Sequence, residues 1–354
     1  MQKSIPEAKT MNKRERFEAF LHNQPVDRVP VAFFHHYTTQ AEYVTGLRDP
    51  ALFEKMVMRQ RVTRVQDDPD ILKIMNDVLM MMPVDVSAVK GPEDLDKIVP
   101  PSMDSLYVSK TKELTERVLD YYKEEDIPSF ATGFSPVFCL RFALMFGLGP
   151  KQDRLKEFFL AAPEKGLAAL KILEERISEI HTMLIRDFGL DGIYFSVNNQ
   201  NQLLPDEVYR EYCVPIEQEM VREINKNGLS FLHICGFGGL INNLELFREY
   251  DASVINWAVH AEGVSLKEGK TFFGGKPVMG GFAQDEIIYR GTEEEVKTEV
   301  KRILAEAGQT GVMIGADCTV PEDIDERRFG WARDAAREFA EETSSRRKHK
   351  AAGS

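Results

Sequence analysis

His233 and Cys235, two residues apart in the run LSFLHIC (229–235), are the pair whose types and spacing point most directly to chemistry. Residues i and i+2 of a β-strand project to the same face, so an imidazole and a thiol would stand side by side. Such a pair suits Zn²⁺, which prefers imidazole nitrogen and thiolate sulfur. Cys318, after Asp317 at the end of another strand-like run, is placed to complete a His–Cys–Cys set. Three protein ligands leave one position open, as catalytic zinc sites do. The competing reading makes these cysteines buried small hydrophobes, since free cysteine is among the most buried residue types. Cys139 and Cys213 lie in apolar or helical contexts (PVFCLRFALMF and VYREYCVPI) and are expected in the core. Four cysteines in 354 residues are too few for a disulfide scaffold.

Further polar residues gather where strand-like runs end. His35 and His36 follow VPVAFF (29–34), Asn76 and Asp77 follow DILKIM (70–75), and Asn198 follows GIYFSV (192–197). Trp257 and His260 close SVINWAV (253–259). His35, His36 and Asp77 are candidate catalytic groups, because a histidine here could orient a substrate or carry a proton near neutral pH. The alternative for the histidine pair is hydrogen-bonded residues that merely line a pocket. Asn76, Asn198, Trp257 and His260 are candidate substrate contacts. A fourth metal ligand stays open among Asp317, His260 and water.

The elements that must position these residues recur along the chain. PSFATGF (128–134), PVMGGF (277–282) and GVMIGAD (311–317) join the five runs above to make eight. Several are continuously apolar, as expected of parallel strands covered on both faces. Amphipathic stretches precede the fourth, fifth and eighth runs, each ending in Gly close to the next strand. Strand alternating with helix implies a parallel sheet, and eight units predict an α/β fold of the closed (β/α)8 TIM-like barrel type. The segment from about 35 to 127 exceeds one unit and predicts extra helices between strands one and three. No linker or repeat divides the chain, so residues 11–343 read as one domain between a disordered lead-in (1–10) and a disordered basic tail (344–354). Catalytic residues of such barrels sit at the C-terminal ends of strands, where the polar residues above fall.

A net charge of −12 and a pI near 5.2 argue against nucleic acid and anionic membrane surfaces as partners. No apolar stretch reaches the roughly 18 residues of a membrane span. The N-terminus lacks the apolar core of a signal peptide, so the expected location is the cytoplasm.

With His233-x-Cys235-Gly236 followed far along by Cys318, the chain resembles the uroporphyrinogen decarboxylase-like superfamily. Within it, the chain is most similar to the zinc-dependent, corrinoid-linked branch typified by methylcobalamin:coenzyme M methyltransferase. The resemblance extends to NKRERFEAFLHNQPVDRVPVAF (12–33), to PDILKIMND (69–77), and to PVMGGF, whose GGF stands where the decarboxylases have Gly-Asn-Leu-Asp-Pro. It implies a (β/α)8 barrel in which His233, Cys235 and Cys318 bind zinc and the zinc holds the thiol of a methyl acceptor. A thiol of pKa about 8.5 is mostly protonated at neutral pH, and coordination deprotonates it. No Asp-x-His-x-x-Gly segment of a cobalamin-binding domain occurs, so the resemblance implies a corrinoid (cobalamin) carried by a separate protein. The expected activity is methyl transfer between that corrinoid and a thiol or methylated small substrate.

Two departures mark the sequence. Cys318 stands in GADCTVPED, where the methyltransferases have a Gly-Cys-Gly-like turn. The decarboxylases meet their polycarboxylate substrate with an Arg-Gln-Ala-Gly-Arg segment after strand one; here that place reads VAFFHHYTT, with no arginine before Arg48. The alternative activity is therefore a metal-free, uroporphyrinogen decarboxylase-like lyase acting on a porphyrinogen or other carboxylated substrate, with Asp77 in the place of the decarboxylase aspartate.

Overall fold

The structure, a computed structural model, describes residues 10–149 and 153–352; residues 1–9 of the expected lead-in lie outside the described residues. Seven strands form one parallel sheet in sequential order: β1 Leu72–Ile74, β2 Ser129–Phe134, β3 Gly192–Val197, β4 Leu229–Ile234, β5 Val254–Trp257, β6 Val278–Phe282 and β7 Val312–Ala316. Helices connect them, as parallel strands require. The sheet curls, consistent with a TIM-like α/β fold. The expected first strand, 29–34, is not a regular strand. Pro30 has no N–H to give a ladder, and the segment forms only isolated bridges, Val31 to Ile314 and His35 to Val320. It still spans the gap between the outer strands. Ala32 N–H donates to Ile314 O and Ile314 N–H to Pro30 O on one side, while Asp70 N–H donates to Val31 O on the other.

Between residue 35 and β2 lie helices Gln40–Thr45, Pro50–Asp67 and Leu106–Tyr122. The amphipathic stretch before β3 divides into Leu155–Ala161 and Pro163–Phe188. Pro163 disfavours helical geometry in the residue before it, and Ala162 accordingly has φ −143° and ψ 71°. The last helix, Arg327–Ala352, runs through residues 344–352, where composition suggests an unstructured tail. Its middle is tied by Glu338 and Glu342, which meet Lys297 and Lys301 of the helix Glu293–Ala307, and the helix continues from there. No helix among the described residues is long and apolar enough to cross a membrane.

Strand alternation sorts the core into two clusters. One face of the strands packs against the helices through residues such as Leu232, Ile255 and Trp257. The other face points inward, where Ile71, Phe130, Phe231, Val254, Met279 and Met313 form a separate cluster. Phe17 and Phe20, from the helix Lys13–Leu21, complete that cluster and stop its lower end. An ion cluster fixes this stopper. Asp70, fully buried, accepts from Arg16 at 2.8 Å, from both terminal nitrogens of Arg28 at 2.6 and 2.9 Å, and from Val31 N–H at 2.7 Å.

A second buried carboxyl sits in the outer wall. Glu217, on the helix Val214–Asn227, accepts from Tyr209 at 2.9 Å and Tyr250 at 2.7 Å. Burial pushes it up to about 7, against the pull of hydroxyls from Tyr250, Tyr209 and Ser135.

Two stability measurements follow from these groups. Asp70→Ala leaves Arg16 and Arg28 partly buried without their shared partner. It should lower unfolding free energy by about 3–5 kcal/mol in denaturant titration; a loss below about 1 kcal/mol would mean that Asp70 is dispensable to the closure. For Glu217, the folded state keeps a proton that the unfolded chain releases at about pH 4.3. Stability should therefore fall as pH rises from about 4.5 to about 7. Glu217→Gln should remove that slope, and parallel profiles for the two proteins would rule the assignment out.

Candidate functional site

The inward faces change character toward the C-terminal ends of the strands. Above the apolar cluster comes a layer containing Lys73, Thr132, Tyr194, His233 and Asn256. Above that stand Met75, Phe134, Ser196 and Cys235, and a cavity of about 410 Å³ opens over them. Cys318 enters this cavity from the bend after β7, and His36, Asn76 and Asn198 line it as well.

His233, Cys235 and Cys318 meet at its floor. Their ligand atoms all lie within 4.8 Å of one another, the only such His/Cys/Asp/Glu group among the described residues. Cys235 Sγ is 3.8 Å from Cys318 Sγ, and Cys318 Sγ is 3.7 Å from His233 Nε2. A tetrahedral zinc with bonds of about 2.3 Å to sulfur and about 2.0 Å to nitrogen separates two sulfurs by about 3.8 Å and sulfur from nitrogen by about 3.5 Å. Those two separations are the ones that zinc would impose, and the third is under 4.8 Å. Gly236 makes the turn after Cys235 possible, since a Cβ there would stand 2.2 Å from Ala258 Cβ.

Electrostatics fit a cation too. The Cys235 thiol is held well below its ordinary value, first by the hydrogen bond from Cys318 and then by His233. Cys318 is driven up by the same partner and by burial. The pair thus gives up one proton readily and resists losing the second. A divalent cation between the sulfurs would relieve that resistance.

Asn256 sets the histidine. Its Nδ2 donates to Met279 O at 3.0 Å and Ala316 O at 3.1 Å, which fixes its Oδ1 as the acceptor. That oxygen accepts from Tyr194 Oη at 2.9 Å and is hydrogen-bonded to His233 Nδ1. His233 consequently carries its proton on Nδ1 and presents the Nε2 lone pair to the cysteines, an arrangement typical of metal-bound histidines. Sequence reasoning missed Asn256 and chose its neighbour Trp257. Trp257 points the other way, buried with its indole N–H on Val264 O, and does not line the cavity. The signal was one polar residue within the apolar run VINW.

Lys73 was also missed, although it interrupts the apolar run DILKIM. Its ammonium lies 4.3 Å from the Tyr194 ring centroid and 5.0 Å from that of Phe34. Burial lowers it to about 8, while charge on Cys318, Asp77 and Cys235 works the other way.

The histidine pair splits. His36 lines the cavity with Nδ1 3.0 Å from Asp77 Oδ1. His35 faces away from it. Its Nε2 is 3.0 Å from Glu326 and 3.2 Å from Thr63, and its ring packs against Tyr37 and Phe329. Consecutive residues of extended chain point to opposite sides, so only one of the two can serve the cavity. Asp77 is buried and outside the lining; it accepts from Tyr37 N–H, Thr38 N–H and the Thr38 hydroxyl. That makes it a positioning residue for the loop and for His36. His260 is also outside the cavity, half exposed, with Nδ1 2.9 Å from Asp317. The hydrogen bond to Asp317 raises the imidazole above its ordinary value. Asp317 and His260 thus engage each other, and neither joins the donor group of the floor. Cys139 and Cys213 are buried in the core.

The sequence profile of uroporphyrinogen decarboxylase (URO-D) matches residues 78–339. The chain belongs to the URO-D family. No curated protein matches its sequence. Among solved structures, a methyltransferase from Methanosarcina mazei superposes with a TM-score of 0.71 at 17% identity, over 93% of this chain and 99% of that one. A B12-independent methionine synthase from Shewanella sp. W3-18-1, in complex with selenomethionine, superposes with a TM-score of 0.55 at 15% identity, over 90% and 98%. At these identities the likeness is one of fold.

Asn256→Leu tests the histidine's support. Without the acceptor, His233 loses both tautomer and orientation, and zinc affinity should fall about 10- to 100-fold in competition with a chelator. Unchanged affinity would show that Asn256 does not govern the ligand.

Proposed function

We propose that this URO-D family member is a zinc-dependent methyltransferase that moves a methyl group between a corrinoid on a separate protein and a thiol or methylated small substrate. One observation carries the reading: a His–Cys–Cys triangle with zinc-like spacing at the floor of a cavity. The fold shared with a protein named a methyltransferase supports the methyl-transfer part of the reading, while the second superposed protein is named a B12-independent methionine synthase. The frame we propose is a closed (β/α)8 barrel over residues 11–343, with segment 29–36 in the eighth position and the helices of 40–122 beside its mouth.

His233, Cys235 and Cys318 would hold the zinc, which when bound supplies the Lewis acidity that keeps a ligated thiol deprotonated at neutral pH. The remaining work falls to the chain. Asn256 engages Nδ1 and so leaves the Nε2 lone pair for the metal. Asp77 holds the Nδ1 side of His36, which leaves Nε2 as the atom able to take a proton from an incoming thiol. Lys73 lies beneath the sulfurs and offsets the negative charge that a third thiolate brings. The apolar lining around Met75, Met80 and Phe138 keeps water from the reacting atoms.

Decarboxylation is the second reading, favoured by the family match. The cavity speaks against it. Among the described residues its lysine and arginine cations are Lys73 and Arg141, and Arg141 is already paired with Asp153 at 2.6 Å, so a polycarboxylate would find little compensation.

Elemental analysis of the reduced protein discriminates. About one zinc per chain is expected, and Cys235→Ser and Cys318→Ser should each lose metal together with methyl transfer. A metal-free wild type, or full methyl transfer by Cys318→Ser, would refute the proposal. Activity indifferent to chelation but abolished in Asp77→Asn would establish the lyase instead.

A further inference from the structure

Helix Pro136–Gly147 carries phenylalanines at 138, 142 and 146, and β2 ends in Phe134. Spacing of four places these residues on one helical face. The rings form a ladder: Phe134 to Phe138 with centroids 4.3 Å apart and 17° between planes, Phe138 to Phe142 at 4.5 Å, and Phe142 to Phe146 at 5.9 Å and 16°. All four line the cavity, and none is fully buried, whereas Val137, Leu140 and Leu144 of the same helix are. The ladder is thus a face turned to the cavity. Aromatic rings gain from offset or edge contacts with further rings, beyond the area they cover.

The polar groups are distributed differently. Besides the His233, Cys235 and Cys318 triangle they include Ser196, Asn198, His36, Asn76 and Gln200, none of them on the helix Pro136–Gly147. Along the ladder the one cation among the described residues is Arg141, paired with Asp153. Lys73 sits low, under Phe34 and Tyr194. A charged substrate body would have to shed its water against hydrocarbon, while a planar uncharged one would exchange water for ring contacts.

We propose that the cavity takes a substrate with a planar aromatic, uncharged body, laid along the Phe134–Phe146 ladder, whose sulfur or oxygen reaches the His233–Cys235–Cys318 floor. This rests on the floor being the metal centre proposed above. A volume of about 410 Å³ suits such a molecule. The ladder thereby sets specificity, and the floor sets reactivity.

The test uses reduced protein loaded with Co²⁺ in place of zinc, whose thiolate-to-cobalt absorption reports ligation directly. Phenylmethanethiol and 2-mercaptoethanesulfonate are titrated separately. The aromatic thiol should bind at least about tenfold more tightly, the scale of one or two ring contacts. In Phe138→Ala/Phe142→Ala that preference should shrink about tenfold, with cobalt content unchanged; Phe142→Leu supplies a milder variant if the double one does not fold. Equal or tighter binding of the sulfonate by wild type would overturn the aromatic assignment and leave the metal centre standing. Cobalt bound with no spectral response to either thiol would overturn the assignment through the failure of the thiol-binding reading itself, and absence of cobalt binding would do so through the failure of the metal reading.

Discussion

Two sulfurs 3.8 Å apart beside an imidazole, on a floor largely removed from water, set the terms for the rest of the molecule. Such a cluster favours one thiolate and penalises a second, so on its own it is electrostatically unfinished. Holding it together requires neighbours that cannot relax. β4 supplies two members from one face of one strand, and the bend after β7 supplies the third. Asn256, on β5 between them, ties β6 and β7 through Met279 O and Ala316 O while it receives His233 and Tyr194. One amide therefore couples ligand orientation to the register of three strands. A shift of that register would change which ring nitrogen of His233 faces the two cysteines.

The lower half of the sheet allows this polarity above it. Apolar residues with Phe17 and Phe20 fill the inside, and Asp70 clamps Arg16, Arg28 and the backbone at Val31. The clamp sits where segment 29–36 bridges the outer strands, which is also where the sheet has its fewest ladder hydrogen bonds. Ionic contacts thus replace a ladder that Pro30 cannot complete. The opposite end is left to carry the site, the division of labour usual for barrels.

The His–Cys–Cys set was legible because it depends on strand period alone. Residues i and i+2 share a face whatever the precise register, and Cys318 needed only a strand end. The residues that support it depend on which face points inward, and that is not encoded in a run apolar on both faces. VINW reads equally well with Asn256 or Trp257 inward. Lys73 carries the same ambiguity within DILKIM. His35 and His36 look alike in sequence, yet alternation sends one to Asp77 and the cavity and the other to Glu326. The aromatic ladder was hidden for a related reason: PVFCLRFALMF is apolar all round, so its period separates neither face as the one left open. The expected first strand is irregular because Pro30 has no N–H for the ladder and Val31 gives its own to the Asp70 carboxylate.

An apolar cavity above a polar floor has a consequence for nucleophilicity. A thiolate in water is stabilised by solvation that must be lost before it reacts, and a cavity lined by phenylalanine and methionine removes that solvation at binding instead. Left uncompensated, the same desolvation would drive the proton back onto sulfur, as burial does to Cys139, whose thiol it pushes up to about 12. In the proposed centre two charges oppose this: the metal, bound directly, and Lys73, held by aromatic faces. Cation–π contact keeps the ammonium in place without an anionic partner that would consume its field. A carboxylate beside Lys73 would have made a more ordinary ion pair and a less useful floor. The position of Lys73 between Phe34 and Tyr194 is therefore best understood as the condition under which a buried sulfur can be both deprotonated and poorly solvated.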